Sequence, residues 1–263
     1  MTFRAISLPD SVVCRIVDAL TSKELTSTLK WDRVSEETIL AKAFDFDYYT
    51  FRVDGYEVTI DAWLTQRTGY ETKYGIDLLV TMSLKDKQSG AGLTKFFIAQ
   101  AKKCRCKLVC RLCAAILCAL LCASGRWPCP VDFCDGNLRD KAREQLRKML
   151  QVTEEHSYLL ILTRDHGFYY ARAIDLVDVP GLSCEKVSGR AICSPLFYFM
   201  FARCYVGEVL VDEYIRDAAE AFHYYMRRAG ERAERAELEV EDVTPRLHAH
   251  LAVEGELEEA WKE

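Results

Sequence analysis

The chain has 263 residues, a formal net charge of −5, 50% hydrophobic and 29% charged residues, and 12 cysteines. That apolar fraction is enough for a packed core and excludes a wholly disordered chain, and the length suits one large domain or one domain with an appendage. Asp10, Arg15 and Asp18 interrupt the apolar pattern of the first 20 residues, so no signal peptide is expected there, and a cytoplasmic protein with reduced thiols or a metal site is expected over a disulfide scaffold.

Residues 1–34 read as two short helices, the first starting at Pro9-Asp10-Ser11 with Val13, Ile16, Val17 and Leu20 at helical spacing. Ser35 is a good N-cap for a third helix. Glu36 and Glu37 fill its first turn, where carboxylates suit the helix dipole, and Ile39, Leu40, Ala43 and Phe44 form its apolar face. From Tyr48 the period changes to two. Phe51 and Val53, then Val58, Ile60 and Ala62, alternate around Asp54-Gly55 and predict a hairpin. Gly75 to Met82 is a strongly apolar strand broken by one charge, Asp77. The loop Asp86–Gly92 leads to a strand over Lys95–Lys103. Gly90-Ala91-Gly92 has no following helix signal, so it reads as hairpin chemistry and not as a phosphate loop.

No acidic residue occurs from Lys87 to Pro130, whereas Lys87, Lys95, Lys102, Lys103, Arg105, Lys107, Arg111 and Arg126 do. Such a run suits a polyanion such as nucleic acid; a solvated basic loop is the plainer alternative. Residues 137–153 predict an amphipathic helix with Leu138, Ala142, Leu146, Met149 and Leu150 inside and Arg139, Lys141, Arg143, Arg147 and Lys148 outside. Strands follow at Tyr158–Leu162 and Phe168–Ala171, giving a mixed α/β sandwich. An aromatic-rich helix is expected over Pro195–Val206; its Phe197, Tyr198, Phe199 and Phe201, with Tyr205, read as core, a base-stacking platform being the alternative. A long helix is expected from Asp212 to about Glu237. Residues 231–263 hold 11 acidic and 4 basic residues, so the preceding 230 carry +2. This acidic tail is expected to be poorly ordered.

The period of two in Phe96-Phe97-Ile98-Ala99-Gln100-Ala101-Lys102 puts Gln100 and Lys102 on one face with Phe96 and Ile98. Asp77 lies on the preceding strand, which the hairpin makes an antiparallel neighbour. The three polar groups are expected to converge at one edge of the sheet. Phosphodiester hydrolysis needs a cation against the developing charge and an in-line water. Mg²⁺ keeps several waters and needs one or two carboxylates and a carbonyl. Asp77 and the Gln100 carbonyl suit that shell, Lys102 suits the attacking water, and a second acid is expected from Glu36, with Glu37 the alternative.

Gly75-Ile76-Asp77, a hairpin, and Ile98-Ala99-Gln100-Ala101-Lys102 resemble the PD-(D/E)xK nuclease superfamily. The Gln-x-Lys form is similar to the branch containing type IV, methyl-directed restriction endonucleases. Ser35-Glu36-Glu37-Thr38 and the helix carrying Gln145 correspond to the family's first and second helices, so the resemblance covers roughly residues 35–172. It implies a restriction-endonuclease-like mixed sheet flanked by helices, with a helical C-terminal extension. It also implies cleavage of DNA dependent on Mg²⁺ or Mn²⁺ through Asp77, Gln100, Lys102 and Glu36, often by a homodimer and in restriction or defence. Lys103, Arg105, Lys107, Arg139, Arg143 and Arg147 would contact phosphates. The organisation read on this basis is an N-terminal helical segment (1–34), a nuclease-like core (35–180), a helical extension (181–238) and the acidic tail (239–263).

The sequence departs from the family after Lys103. Eight cysteines fall within residues 104–134, amid Ala and Leu. A buried helix with Cys as a small hydrophobe is one reading. A zinc site at Cys104, Cys106, Cys110 and Cys113 is another, although these lack the gap that usually separates two ligand pairs. The apolar run is short against the ~20 residues a membrane span needs, so no membrane association is expected. The composition also fits a frame-shifted or recently inserted stretch.

Overall fold

The structure is a computed structural model that describes residues 5–24, 34–46, 48–65, 76–103, 140–163, 167–179, 187 and 190–260. The first part of the chain gives β1 (Ala5–Ser7), α1 (Asp10–Thr21), α2 (Glu36–Ala43), β2 (Tyr49–Val53), β3 (Tyr56–Leu64), β4 (Ile76–Asp86) and β5 (Gly92–Lys103). There follow α3 (Asp140–Val152), β6 (Ser157–Leu162), β7 (Phe168–Arg172), β8 (Ile192–Cys193) and α4 (Ser194–Ala202). The last part holds β9 (Glu208–Val211), α5 (Ala218–Arg235), α6 (Val240–Val243), β10 (Pro245–Gly255) and β11 (Glu258–Ala260). Among the described residues no helix is long and apolar enough to cross a membrane.

The fold is mixed α/β. One nine-stranded sheet runs β2-β3-β10-β4-β5-β6-β7-β8, with β9 beside the first half of β5, and β1 pairs separately with β11. The β2–β3 hairpin turns at Asp54-Gly55, both at positive φ (48° and 82°), the geometry that favours Gly and Asn or Asp in a two-residue turn. β4 and β5 are antiparallel, Leu78 opposite Ala99 and Thr81 opposite Phe96. β6 then runs parallel to β5 from Ile98 opposite Ser157, with α3 lying in the crossover between them.

Alternation along β5 sorts its side chains as the sequence implied. Phe97, Ala99 and Ala101 join the core formed with α1, α2 and α4, and Phe96 and Ile98 join the opposite core formed with α3 and α5. Of the aromatic residues read as core, Phe197, Tyr198 and Phe201 are buried: Phe197 and Phe201 each meet Phe97 edge-on at 4.9 Å, and Phe197 stacks on Tyr170 at 4.0 Å, whereas Phe199 is half-buried against the core and Tyr205, beyond the helix, is exposed. The helices expected as an extension are therefore outer layers of the same sheet. α5 begins at Ala218, six residues later than expected, because Asp217 is its cap and accepts the Glu220 N–H at 2.9 Å.

The largest correction concerns the acidic tail. Pro245–Gly255 is an inserted central strand, antiparallel to β3 (Ala249 opposite Ala62) and parallel to β4 (Ala249 opposite Val80), with nearly every residue buried. The negative charges flank it at either end. Leu247, Ala249, Leu251 and Val253 enter the core on the α1 side, which leaves Arg246, His248 and His250 on the other face. A second correction concerns Lys95 of the basic run. It is completely buried, and its ammonium donates to the carbonyls of Phe201, in the last turn of α4, and of Val206, beyond the helix end. Burial pushes it down to about 8, against the pull of Cys204. The second N-terminal helix and the cysteine-rich run 104–134 lie outside the described residues.

β10 is fixed by a buried hydrogen-bond chain whose direction is fully determined. The Trp63 indole only donates, so Nδ1 of His248 accepts from it (3.1 Å) and Nε2 of His248 carries the proton. That Nε2–H donates to Thr81 Oγ1 (2.7 Å), and the Thr81 hydroxyl donates to Nδ1 of His250 (2.7 Å). Nε2–H of His250 then donates to the Ile215 carbonyl at 2.9 Å. Both imidazoles are neutral, and burial pushes His248 well below its ordinary value and His250 down to about 4. An unfolded chain takes up protons below about 6.5 that these groups refuse, so their contribution to stability is lost as pH falls from 6.5 toward 4. Thr81→Val keeps the volume and leaves a buried donor and a buried acceptor unpaired. It is expected to destabilise the fold by about 2–4 kcal/mol in urea unfolding at pH 7, with an unchanged m-value.

Candidate active site

The site lies where the last residues of β5 meet the first residues of β4 and β10 and the N-terminus of α2. Ser35 caps α2, its hydroxyl accepting the Thr38 N–H at 3.2 Å, while Ile39 and Leu40 anchor the helix in the core. The Glu36 carboxylate is thereby held against β5. Its Oε1 accepts the backbone N–H of Lys103 at 2.9 Å, and its Oε2 is 3.5 Å from Lys102 Nζ. The side chain of Glu37 lies outside the described set.

Asp77 is the second residue of β4 and is buried. Its Oδ2 accepts the Ala101 N–H at 2.8 Å and a hydrogen bond from Gln100 Nε2. Its Oδ1 faces Arg246 Nε at 3.6 Å. Burial pushes the carboxyl up to about 6, a shift that Lys102, Arg246 and the Ala101 N–H oppose and the charge of Glu36 reinforces. It remains mostly ionised at neutral pH, at a cost to stability.

Gln100 is also buried. Its Nε2 is turned to Asp77, and its carbonyl Oε1 has no hydrogen-bond partner among the described residues. A buried acceptor left in this way costs ~1–3 kcal/mol and calls for an explanation in an unmade contact to water, an ion or a ligand. The structure therefore brings Glu36, Asp77, Gln100 and Lys102 together. Among the described residues no group of three or more His, Cys, Asp or Glu side chains is placed to hold a metal ion. The donor set here is two carboxylates and an amide oxygen, which fits a hard cation that retains water. The cysteines of the alternative zinc reading, Cys104, Cys106, Cys110 and Cys113, lie outside the described residues.

The expected phosphate contacts divide differently. Lys103 Nζ donates to the Val34 carbonyl at 3.0 Å and Arg143 Nη2 to the Val179 carbonyl at 2.6 Å, which ties both into the fold. Arg147 is exposed on α3. Arg105, Lys107 and Arg139 lie outside the described residues. Arg246 is the site residue that sequence reasoning missed. The alternation of Leu247, Ala249, Leu251 and Val253 was the signal for its strand, and the acidity of the flanking residues hid it.

Compared with protein-family models, with curated proteins and with solved structures, the chain matches none. The site thus stands on its own geometry.

Asp77→Asn preserves an oxygen for the Ala101 N–H and for Gln100 Nε2 while removing a charge that burial opposes. Wild-type Asp77 takes up a proton in the folded state at about pH 6 and in the unfolded state at 3.8. The variant is expected to melt higher than wild type at pH 7–8. That advantage should shrink as pH falls from 6 toward 3.8, as measured by thermal denaturation in a pH series.

Proposed function

We propose that this protein is a divalent-cation-dependent nuclease that hydrolyses phosphodiester bonds of DNA. The observation that carries the reading is the buried Gln100 Oε1, without a partner among the described residues, beside the buried carboxylate of Asp77, with Glu36 and Lys102 close by. A pure binding surface has no need of a buried carboxylate held ionised against its environment, whereas catalytic centres collect groups perturbed in this way.

Asp77, Gln100 Oε1 and Glu36 are the residues that would hold Mg²⁺ or Mn²⁺. When bound, the cation supplies positive charge to a phosphoryl group that gains negative charge during hydrolysis. The rest belongs to the chain. Gln100 Nε2 and the Ala101 N–H orient the Asp77 carboxylate, so its geometry is set before substrate arrives. Glu36 is oriented by the Lys103 N–H. Lys102 Nζ, close to Glu36 Oε2, donates a hydrogen bond to the attacking water and holds it against the phosphorus.

Supercoiled plasmid incubated with the purified protein is expected to be nicked in Mg²⁺ and untouched in EDTA. Asp77→Ala and Lys102→Ala should each lower the rate at least ~100-fold. Retained plasmid binding with no cleavage in any divalent cation would favour a nuclease-like binding protein.

A further inference from the structure

Lys95 takes no part in the proposed chemistry, yet the chain encloses it closely. It lies on β5 and is completely buried. An ammonium has three donors. Two go to the carbonyls of Phe201 and of Val206, the latter at 3.0 Å, and the charge stands 4.3 Å from the centre of the Phe201 ring. The Cys204 thiol is within hydrogen-bond reach of the same ammonium, and the charge that favours the ammonium form comes from Cys204 and not from a carboxylate. The residues that build this enclosure, β5 and 201–207, are all among those described.

The backbone after α4 holds thiol and amine together. The Cys204 N–H donates at 3.1 Å to the Phe201 carbonyl, the acceptor that Lys95 also uses, and the Tyr205 N–H donates to the Met200 carbonyl at 2.9 Å. Cys204 sits at φ 60°, in the left-handed region where glycine commonly ends a helix. At Gly207, φ 107°, an added Cβ would stand 3.3 Å from Lys95 Cδ and 2.9 Å from the Phe201 ring, so the loop closes tightly on the lysine stem. The two reactive groups differ in access. Cys204 is half-buried and open to a small oxidant, whereas Lys95 is sealed beneath it. Burial pushes Lys95 down to about 8, so about a tenth of it is neutral amine at pH 7. A thiol that meets a peroxide becomes a sulfenic acid, whose sulfur condenses with an adjacent thiol or nitrogen. The adjacent nitrogen here is Lys95 Nζ.

We propose that Cys204 and Lys95 form a peroxide-responsive modification site that closes into a sulfenamide bridge; the inference is independent of the nuclease reading. Hydrogen peroxide oxidises the thiol: the O–O bond breaks, the sulfur keeps one oxygen as S–OH, and water leaves. The Lys95 lone pair then attacks the sulfur. The S–N bond forms, the S–O bond breaks, and the hydroxide departs with an amine proton as a second water. The protein loses two hydrogens in all, and a dithiol, itself oxidised to a disulfide, restores both side chains. The full chain is treated with hydrogen peroxide, alkylated, digested with trypsin and mapped by mass spectrometry, with and without dithiothreitol. The expected product is tryptic peptide 88–102 joined through Lys95 to peptide 204–216, lighter than their sum by two hydrogens. Peptide 88–102 contains no cysteine, so a disulfide cannot mimic this product. Dithiothreitol should separate the pair, Cys204→Ser should abolish it, and Lys95→Met should leave Cys204 reactive toward dimedone. Cys204 recovered as a free thiol, in a disulfide or as any sulfur acid, with trypsin cutting normally after Lys95, overturns the proposal even if Lys95→Met fails to fold. A joined pair that carries an added oxygen contradicts the sulfenamide.

Discussion

A carboxylate taken out of water must be paired, and the end of this sheet is organised around that requirement at Asp77. One oxygen accepts from the Ala101 backbone and from the Gln100 amide; the other faces Arg246. These partners come from two different strands, β5 and β10, so the pairing of Asp77 fixes how β4 sits between its neighbours. The satisfaction is incomplete. Burial still holds the carboxyl up at about 6, and the Gln100 carbonyl has no partner among the described residues. An arrangement that only stabilised the fold would do better with apolar residues of the same size. A costly buried charge beside an acceptor with no partner among the described residues is the observation on which the proposed cation-dependent chemistry rests.

β10 has the same importance for the sheet as a whole. It separates β3 from β4, supplies Leu247, Ala249, Leu251 and Val253 to one core, and presents Arg246, His248 and His250 to the other face. The chain from Trp63 through His248, Thr81 and His250 to Ile215 ties three strands and the approach to α5 into one directed hydrogen-bond series. Every ring nitrogen in it has a defined role, which specifies the register of β10. That register sets where Arg246 stands relative to Asp77. The polar interior of the sheet and the geometry of the site are thus one structure.

Much of this was legible in the residues, and the parts that were not have physical reasons. The Asp54-Gly55 hairpin, the Ser35 cap and the alternation of β5 are local: each depends on turn chemistry, a capping hydroxyl or a period of two, and each formed as read. The convergence of Asp77, Gln100 and Lys102 followed from the antiparallel hairpin between β4 and β5, and Glu36 joined them from the helix start. The place of β10 was not local. Its partners lie between 169 (Pro245 to Ile76) and 197 (Glu254 to Glu57) residues earlier in the chain, and a strand whose flanks are acidic looks solvated when charge is averaged over a window. Lys95 was misread for a related reason. A lysine in a basic run looks like a surface charge until a carbonyl from the last turn of α4 and one from the loop after it are found to enclose it. Arg143 and Lys103 likewise face backbone carbonyls that only the tertiary fold supplies.

The most direct measurement of the central claim is the Gln100 side chain itself, followed by NMR during titration with Mg²⁺ in the absence of nucleic acid. The expected result is a saturable shift of the Gln100 carbonyl carbon and amide protons, not reproduced by Na⁺ at equal ionic strength and lost in Asp77→Asn. Gln100 signals that stay unmoved through millimolar Mg²⁺, or that move equally in Asp77→Asn, would contradict a cation site at this carbonyl and, with it, the chemistry assigned to the surrounding residues.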